Sequence, residues 1–146
     1  RYLGRWILHS GWYPDYKLRF FNKEKGSWEG FEPHDIIRLK GQAGYLKEDI
    51  LHYSFYGVSH HLRKIDHFTT IAAQEAFSRG KRSGPGALIV HPLFTFFKMY
   101  VLKAGVLDGL PGLIAAGMSA FHVFSKYSKL WDLQRTSSSP REGGRG

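Results

Sequence analysis

The chain has 146 residues, with 21 lysines and arginines against 12 aspartates and glutamates, a formal charge of +9. Hydrophobic residues make up 42% and aromatics 16%, which suits one packed domain and excludes a wholly disordered chain. Cysteine is absent, which excludes disulfides, thiolate catalysis and cysteine-bound zinc. The chain opens on Arg1 without a signal-peptide pattern, and such a start suits a piece of a longer protein.

Residues 1–56 read as short apolar and aromatic runs broken by Gly, Pro, Asn and Asp, a strand-and-turn texture. Tyr2 to Leu8 is the first run, and Gly11 to Asp15 punctuates it. Lys17 to Phe21 is the second, and Asn22 to Gly26 stops it. Ser27 to Phe31 reads as its return strand, so 17–31 is expected to form a hairpin. Ile50 to Phe55 alternates as a further strand, with Leu51, Tyr53 and Phe55 on one face.

From Ser59, a plausible N-cap, the period lengthens to helical spacing through Leu62, Ile65, Phe68 or Thr69, Ala72 and Ala76. Gly80 ends that helix, and Ser83 to Gly86 is a linker. A second helical block is expected from Pro92 to Lys103 and a third from Leu110 to Leu133, with Gly105 to Gly109 as the turn between them. Gly117 leaves a gap in the apolar stripe of the third block and argues against one unbroken helix. The expected organisation is a strand-rich region over 1–56, an amphipathic helix and linker over 57–86, a hydrophobic helical pair over 87–134, and a disordered tail over 135–146. The class is α+β.

The two hydrophobic blocks read as too short and too interrupted to be firm membrane spans, since a span needs about 20 mainly apolar residues. Three placements fit them: core helices, a helical hairpin lying in a membrane interface, or a face packed on another subunit. Aromatic enrichment with Lys98, Lys103, Lys126 and Lys129 at hand favours the interface. The basic charge is spread through the whole chain and no nucleic-acid module motif occurs, so nucleic acid is not an expected partner.

No GxSxG, Walker or GxGxxG motif is present, and no HExxH spacing accompanies the eight histidines. Two clusters carry chemistry. The first is the run Ser10 to Phe21, where aromatics and charges surround Gly11 and Pro14 and shape either a surface or an ordinary turn. The second is Pro33-His34-Asp35, where a carboxylate beside a histidine on a stiffened loop suits a general base. The competing reading pairs Asp35 with Arg38 on the surface.

In this order and spacing, GRWxxHSGWYPDYKLRFF, KGxWxG, the Pro33-His34-Asp35 step, LKxxILHYSF and a helix ending GKR resemble the C-terminal half of bacterial family 2 glycosyltransferases. The resemblance covers about residues 3–133 and is strongest to lipopolysaccharide core glucosyltransferases. It implies the acceptor-side part of a GT-A fold whose nucleotide-binding, Rossmann-like half and Asp-x-Asp motif are absent from this sequence. It further implies C-terminal helices that associate with the cytoplasmic face of the bacterial inner membrane, peripherally or monotopically. The implied reaction is inverting transfer of a sugar from a nucleotide-sugar donor to a glycan or lipid-linked acceptor. A divalent cation, Mg or Mn, would be held mainly by the absent half, and the isolated chain would be inactive. Asp35 would be the base where the family usually has Glu, with His34 beside it. Trp12 would stack on a sugar, while Asp15, Lys17 and Arg19 match the donor- or acceptor-binding segment. His52 would approach the diphosphate or the metal. A non-catalytic membrane-associating or partner-binding module is the alternative.

Overall fold

The computed structural model of the chain describes residues 1–29 and 36–138, which form two short strands and three helices in an α+β arrangement. The chain divides into two compact units, one of residues 1–13 with 53 onward and the other of residues 14–52.

In the first unit, helix α1 spans Val58–Ser78. Its N-cap is Gly57 without a side-chain cap bond, so Ser59 lies inside the first turn rather than at the cap. The buried face runs through His61, Ile65, Thr69, Ala73 and Ala76, which matches the expected stripe at Ile65, Thr69 and Ala76 and departs from it at Leu62 and Ala72. Leu62 is exposed because His61 takes the inward position, and Thr69 satisfies its hydroxyl internally by donating to the Ile65 carbonyl at 2.7 Å. The helix ends as expected. Gly80 adopts φ +74°, its N–H reaches the Phe77 carbonyl and the Lys81 N–H reaches Ala76, which is the Schellman pattern that satisfies the last carbonyls.

Helix α2 spans Pro85–Phe97 and continues as a π-helical turn over Lys98–Leu102. It starts at Pro85, inside the expected linker, because proline at the first helical position loses no intrahelical bond there. Pro92 sits within the helix instead of opening it. A 3-10 turn at Gly105–Asp108 then leads into α3, Gly109–Ser138. Gly117 does not break this 30-residue helix, and 135–138, expected in the tail, extend it. The earlier start of α2 changes the membrane arithmetic. Pro85–Leu102 and Gly105–Ser138 are each long and apolar enough to cross a membrane by length and composition, with only 6% and 22% of their apolar windows buried. A core helix of a soluble domain would be mostly buried.

Two small cores hold the unit. Tyr2, Ile7 and Ala115 pack with Trp12, Phe55 and Ile114, and Ala73, Ala76 and Leu130 pack with Phe77, Tyr127 and Leu133. Polar ties reinforce the second. Lys129 donates to the Asp66 carboxylate, the Asp66 carbonyl and the Thr70 hydroxyl, each at 2.7 Å, which fixes α1 on α3. Gln134 accepts from the Ser83 N–H and donates to the Ser83 carbonyl, which anchors the α1–α2 connection on α3.

In the second unit, β1 (Gly26–Glu29) pairs antiparallel with β2 (Ile36–Leu39) in the register Gly26↔Leu39 to Glu29↔Ile36. The expected hairpin over 17–31 is therefore shifted. Lys17 to Phe21 is irregular, and Ser27 to Glu29 pairs forward with Ile36 to Arg38. Charge matching supports this register, since Arg38 Nε lies 2.6 Å from Glu29 Oε2. Residues 50–55 form no strand: Phe55 spends its apolar face on Tyr2 and His61 of the first unit. The expected base Asp35, its neighbour His34 and residues 139–146 lie outside the described residues.

Gly117 has open space where a side chain would project. Gly117→Ala should stabilise the chain by about 0.5–1 kcal/mol through helix propensity alone. Denaturation in detergent micelles measures this, and a loss of stability would show that another body occupies that space.

Candidate functional site

The run that carries the resemblance starts in the first unit with His9, Ser10, Gly11 and Trp12, and these residues are held by the turn between α2 and α3. Asp108 is the anchor. It is buried, and its carboxylate accepts from the Leu8 N–H at 3.3 Å, the His9 N–H at 2.9 Å and the His9 ring Nδ1 at 3.0 Å. The Ser10 N–H donates to the Lys103 carbonyl at 2.9 Å, and an Arg5 guanidinium nitrogen reaches the Leu107 carbonyl at 3.0 Å. The main chain approaches so closely that a Cβ at Gly105 would strike the Ser10 hydroxyl and the Met99 carbonyl. A Cβ at Gly112 would strike the Gly105 carbonyl. Both positions need glycine for space.

Burial alone pushes the Asp108 carboxyl up, but the His9 ring and the Leu8 and His9 amides together outweigh it and leave it below its ordinary value. The carboxylate is thus a stable acceptor that fixes the Nδ1–H tautomer of half-buried His9 and leaves Nε2 as the ring's acceptor. A histidine oriented this way can take a proton or, once protonated, meet an anion.

Behind His9 lies an aromatic cluster. Tyr2 is fully buried and its hydroxyl lies 3.0 Å from His61 Nδ1. His61 stacks on Phe55 at 3.7 Å between ring centroids, and Trp12 packs against Tyr2 at 5.6 Å and Phe55 at 6.2 Å. Trp12, expected to stack on a sugar, thus spends part of its rings on the protein. His61 is pushed down to about 4, first by burial and then by the charges of His122 and His60. Burial that keeps His61 neutral suits its hydrogen bond with the Tyr2 hydroxyl.

The remaining expected binding residues lie in the second unit. Lys17 Nζ pairs with Asp15 Oδ1 at 3.2 Å in an exposed segment, where Arg19 is also exposed. His52 is exposed as well. Among the described residues, no group of three or more histidine, aspartate or glutamate side chains comes together to hold a metal. Sequence reasoning missed His9 and Asp108. His9 stands inside the quoted HSGWYPD run, but its partner is 99 residues away and signalled only by an acidic residue in the glycine-rich turn GVLDGLPG.

No family model and no solved structure matches this chain.

His61 sets an acid sensitivity. Its folded pKa lies below the ordinary value of 6.5, so the stability it contributes is fully present above 6.5 and is lost as the pH falls toward about 4. An NMR titration should place the His61 midpoint near 4, and His61→Phe, which keeps the stack on Phe55, should flatten the stability loss in that window. A midpoint near 6.5 would mean that the Tyr2–His61 pair is open to solvent.

Proposed function

We propose that this chain is the acceptor-side, membrane-seated part of an inverting glycosyltransferase, acting on a lipid-linked or lipopolysaccharide-type glycan at the cytoplasmic face of the inner membrane. The observation that carries the reading is the exposed apolar tip of the α2–α3 pair. Val101, Leu102, Val106, Leu107 and Leu110 are all more than half exposed around the turn that grips His9 and Ser10. A contiguous apolar surface of this kind marks a membrane or partner interface, and Lys98 and Lys103 beside it suit anionic headgroups. In this reading His9 to Trp12, gripped at that turn, would meet an arriving lipid-linked acceptor.

In this reading Asp35 takes the proton of an acceptor hydroxyl, whose oxygen bonds to the anomeric carbon of the donor sugar. The bond from that carbon to the nucleoside diphosphate breaks, and the diphosphate leaves with the bonding pair. Lys17 and Arg19 offset phosphate charge.

Vesicle flotation tests the seating. The chain should float with vesicles containing anionic lipid, and placing aspartate at Leu102, Leu107 and Leu110 should cut the floated fraction at least tenfold, since each buried leucine is worth about 1.5–3 kcal/mol. A chain that stays monomeric and unbound without detergent removes the membrane from the account. In the enzyme that also carries a donor-binding half, Asp35→Asn should lower transfer by about 10²–10⁴-fold with donor binding retained. A change of less than tenfold would remove Asp35 from the mechanism.

A further inference from the structure

The far end of the same helical pair holds a feature that the acceptor-side reading does not use. A cleft of about 280 Å³ opens where the end of α1, the start of α2 and the last third of α3 meet. Lys81, Arg82, Lys126, His91 and Tyr127 line it over a floor that includes Leu130, and no carboxylate is among its lining residues. Three cations around one cleft repel one another, so their convergence costs stability unless something anionic neutralises it.

Their partners in the chain are aromatic rather than acidic. The Arg82 guanidinium lies 5.3 Å from the Phe77 ring centre, and Lys126 Nζ lies 5.3 Å from that of Tyr127. His91 stacks on Tyr127 at 4.8 Å, which fixes the imidazole at the wall. None of the three cations makes an ion pair with a carboxylate among the described residues. The aromatic faces attract the charged heads of Arg82 and Lys126 without using their hydrogen-bond donors on a carboxylate. Ala87, which also lines the cleft, belongs to the first turn of α2, a turn with no acidic residue. Free first-turn amides add to the preference for negative charge.

We propose that this cleft is a binding site for a phosphate-bearing ligand, with Lys81, Arg82 and Lys126 as its charged contacts and His91 as a wall donor. Several cations around a small cavity with an apolar floor fit a diphosphate or phosphomonoester group better than a single carboxylate, because its several oxygens engage all three at once. The cleft volume falls near the lower limit of small-ligand pockets, about 300 Å³, which suits a headgroup and not a whole nucleotide sugar. The phosphate comes either from a small soluble ester or from the headgroup of a membrane lipid, and exposed Ile89 and Val90 beside His91 would lie next to the acyl chains in the second case. The site stands apart from the glycosyl-transfer reading and is tested without any activity measurement.

The test is binding by the full 146-residue chain in uncharged detergent micelles, read from the backbone amide and imidazole signals of Ala87 and His91. Inorganic pyrophosphate is the soluble probe, and phosphatidylcholine vesicles with and without phosphatidic acid are the lipid probe. Lys81→Gln with Arg82→Gln is one variant and Lys126→Gln is the second. Arg63→Gln with Lys64→Gln, both exposed on α1 and away from the cleft lining, is a charge-matched control. Saturable pyrophosphate binding, weakened at least about tenfold by either cleft variant and little changed by the control, supports the site with a soluble ligand. Binding only to vesicles containing phosphatidic acid, with the same dependence on the variants, supports it with a lipid headgroup. Absence of saturable binding by both probes overturns the proposal. So does equal weakening by the control, which would reduce the effect to net charge. Circular dichroism confirms that each variant remains helical, and the single Lys126→Gln change keeps the test decisive if the double variant unfolds.

Discussion

The arrangement depends on one buried carboxylate. Asp108 ends a short 3-10 turn between two apolar helices and accepts two backbone amides and one imidazole from Leu8 and His9. A hydrogen bond to a charged acceptor contributes about 1.5–3 kcal/mol, more than the one or so of a neutral pair. Removing the carboxylate would also leave the Leu8 and His9 donors unsatisfied. Asp108 adds to the other ties of the N-terminal segment, which are the Ser10 N–H on the Lys103 carbonyl, Arg5 on the Leu107 carbonyl and the packing of Tyr2 and Ile7 on Ala115. Asp108 therefore fixes Leu8 and His9 on the turn between the two helices. Through Tyr2 and Trp12 it also decides whether the aromatic cluster around His61 is covered.

Charge is distributed along the helical pair in a way that fits its proposed seat. Pro85–Phe97 and the first part of α3, as far as Ser125, contain no lysine, arginine, aspartate or glutamate. Cations collect at the two ends instead: Lys98 and Lys103 flank the α2–α3 turn, and Lys81, Arg82, Lys126 and Lys129 lie toward the opposite end. Lys129 is spent on Asp66, which leaves the other three to the cleft. An apolar middle with basic ends is the pattern expected of a helix pair in contact with anionic lipid. The two ends would then do different work, one presenting the HSGWYPD run and the other holding phosphate.

The helices were legible in the sequence, and most of the strands were not. Period and glycine placed the end of α1 at Gly80 and the turn at Gly105 to Gly109, because both signals are local. The inward face of α1 was legible at Ile65, Thr69 and Ala76 but not at its start, because a histidine is not scored as a core residue, whereas His61 is buried through its bond to Tyr2 and its stack on Phe55. The start of α2 was set too late because Pro92 looks like a first-turn proline, and Pro85 fits that role too. Residues 17–21 and 50–55 have strand composition, but composition does not say whether a partner strand exists, and Phe55 is drawn into an aromatic cluster instead. Of the binding residues, Trp12 and the Asp15–Lys17 pair were visible as types. The His9–Asp108 pair was not, since nothing local joins residues so far apart in the chain.

Hydrogen exchange at the amides of Leu8, His9 and Ser10 tests the clamp most directly, because each N–H donates across to the α2–α3 turn. The account predicts that these three exchange as slowly as amides in the interior of α3, and that Asp108→Asn speeds Leu8 and His9 by at least about tenfold as the charged acceptor is lost. Exchange of Leu8 and His9 at the rate of an unstructured peptide in the unaltered chain would contradict it, because Leu8 to Ser10 would then not be held on the helical pair.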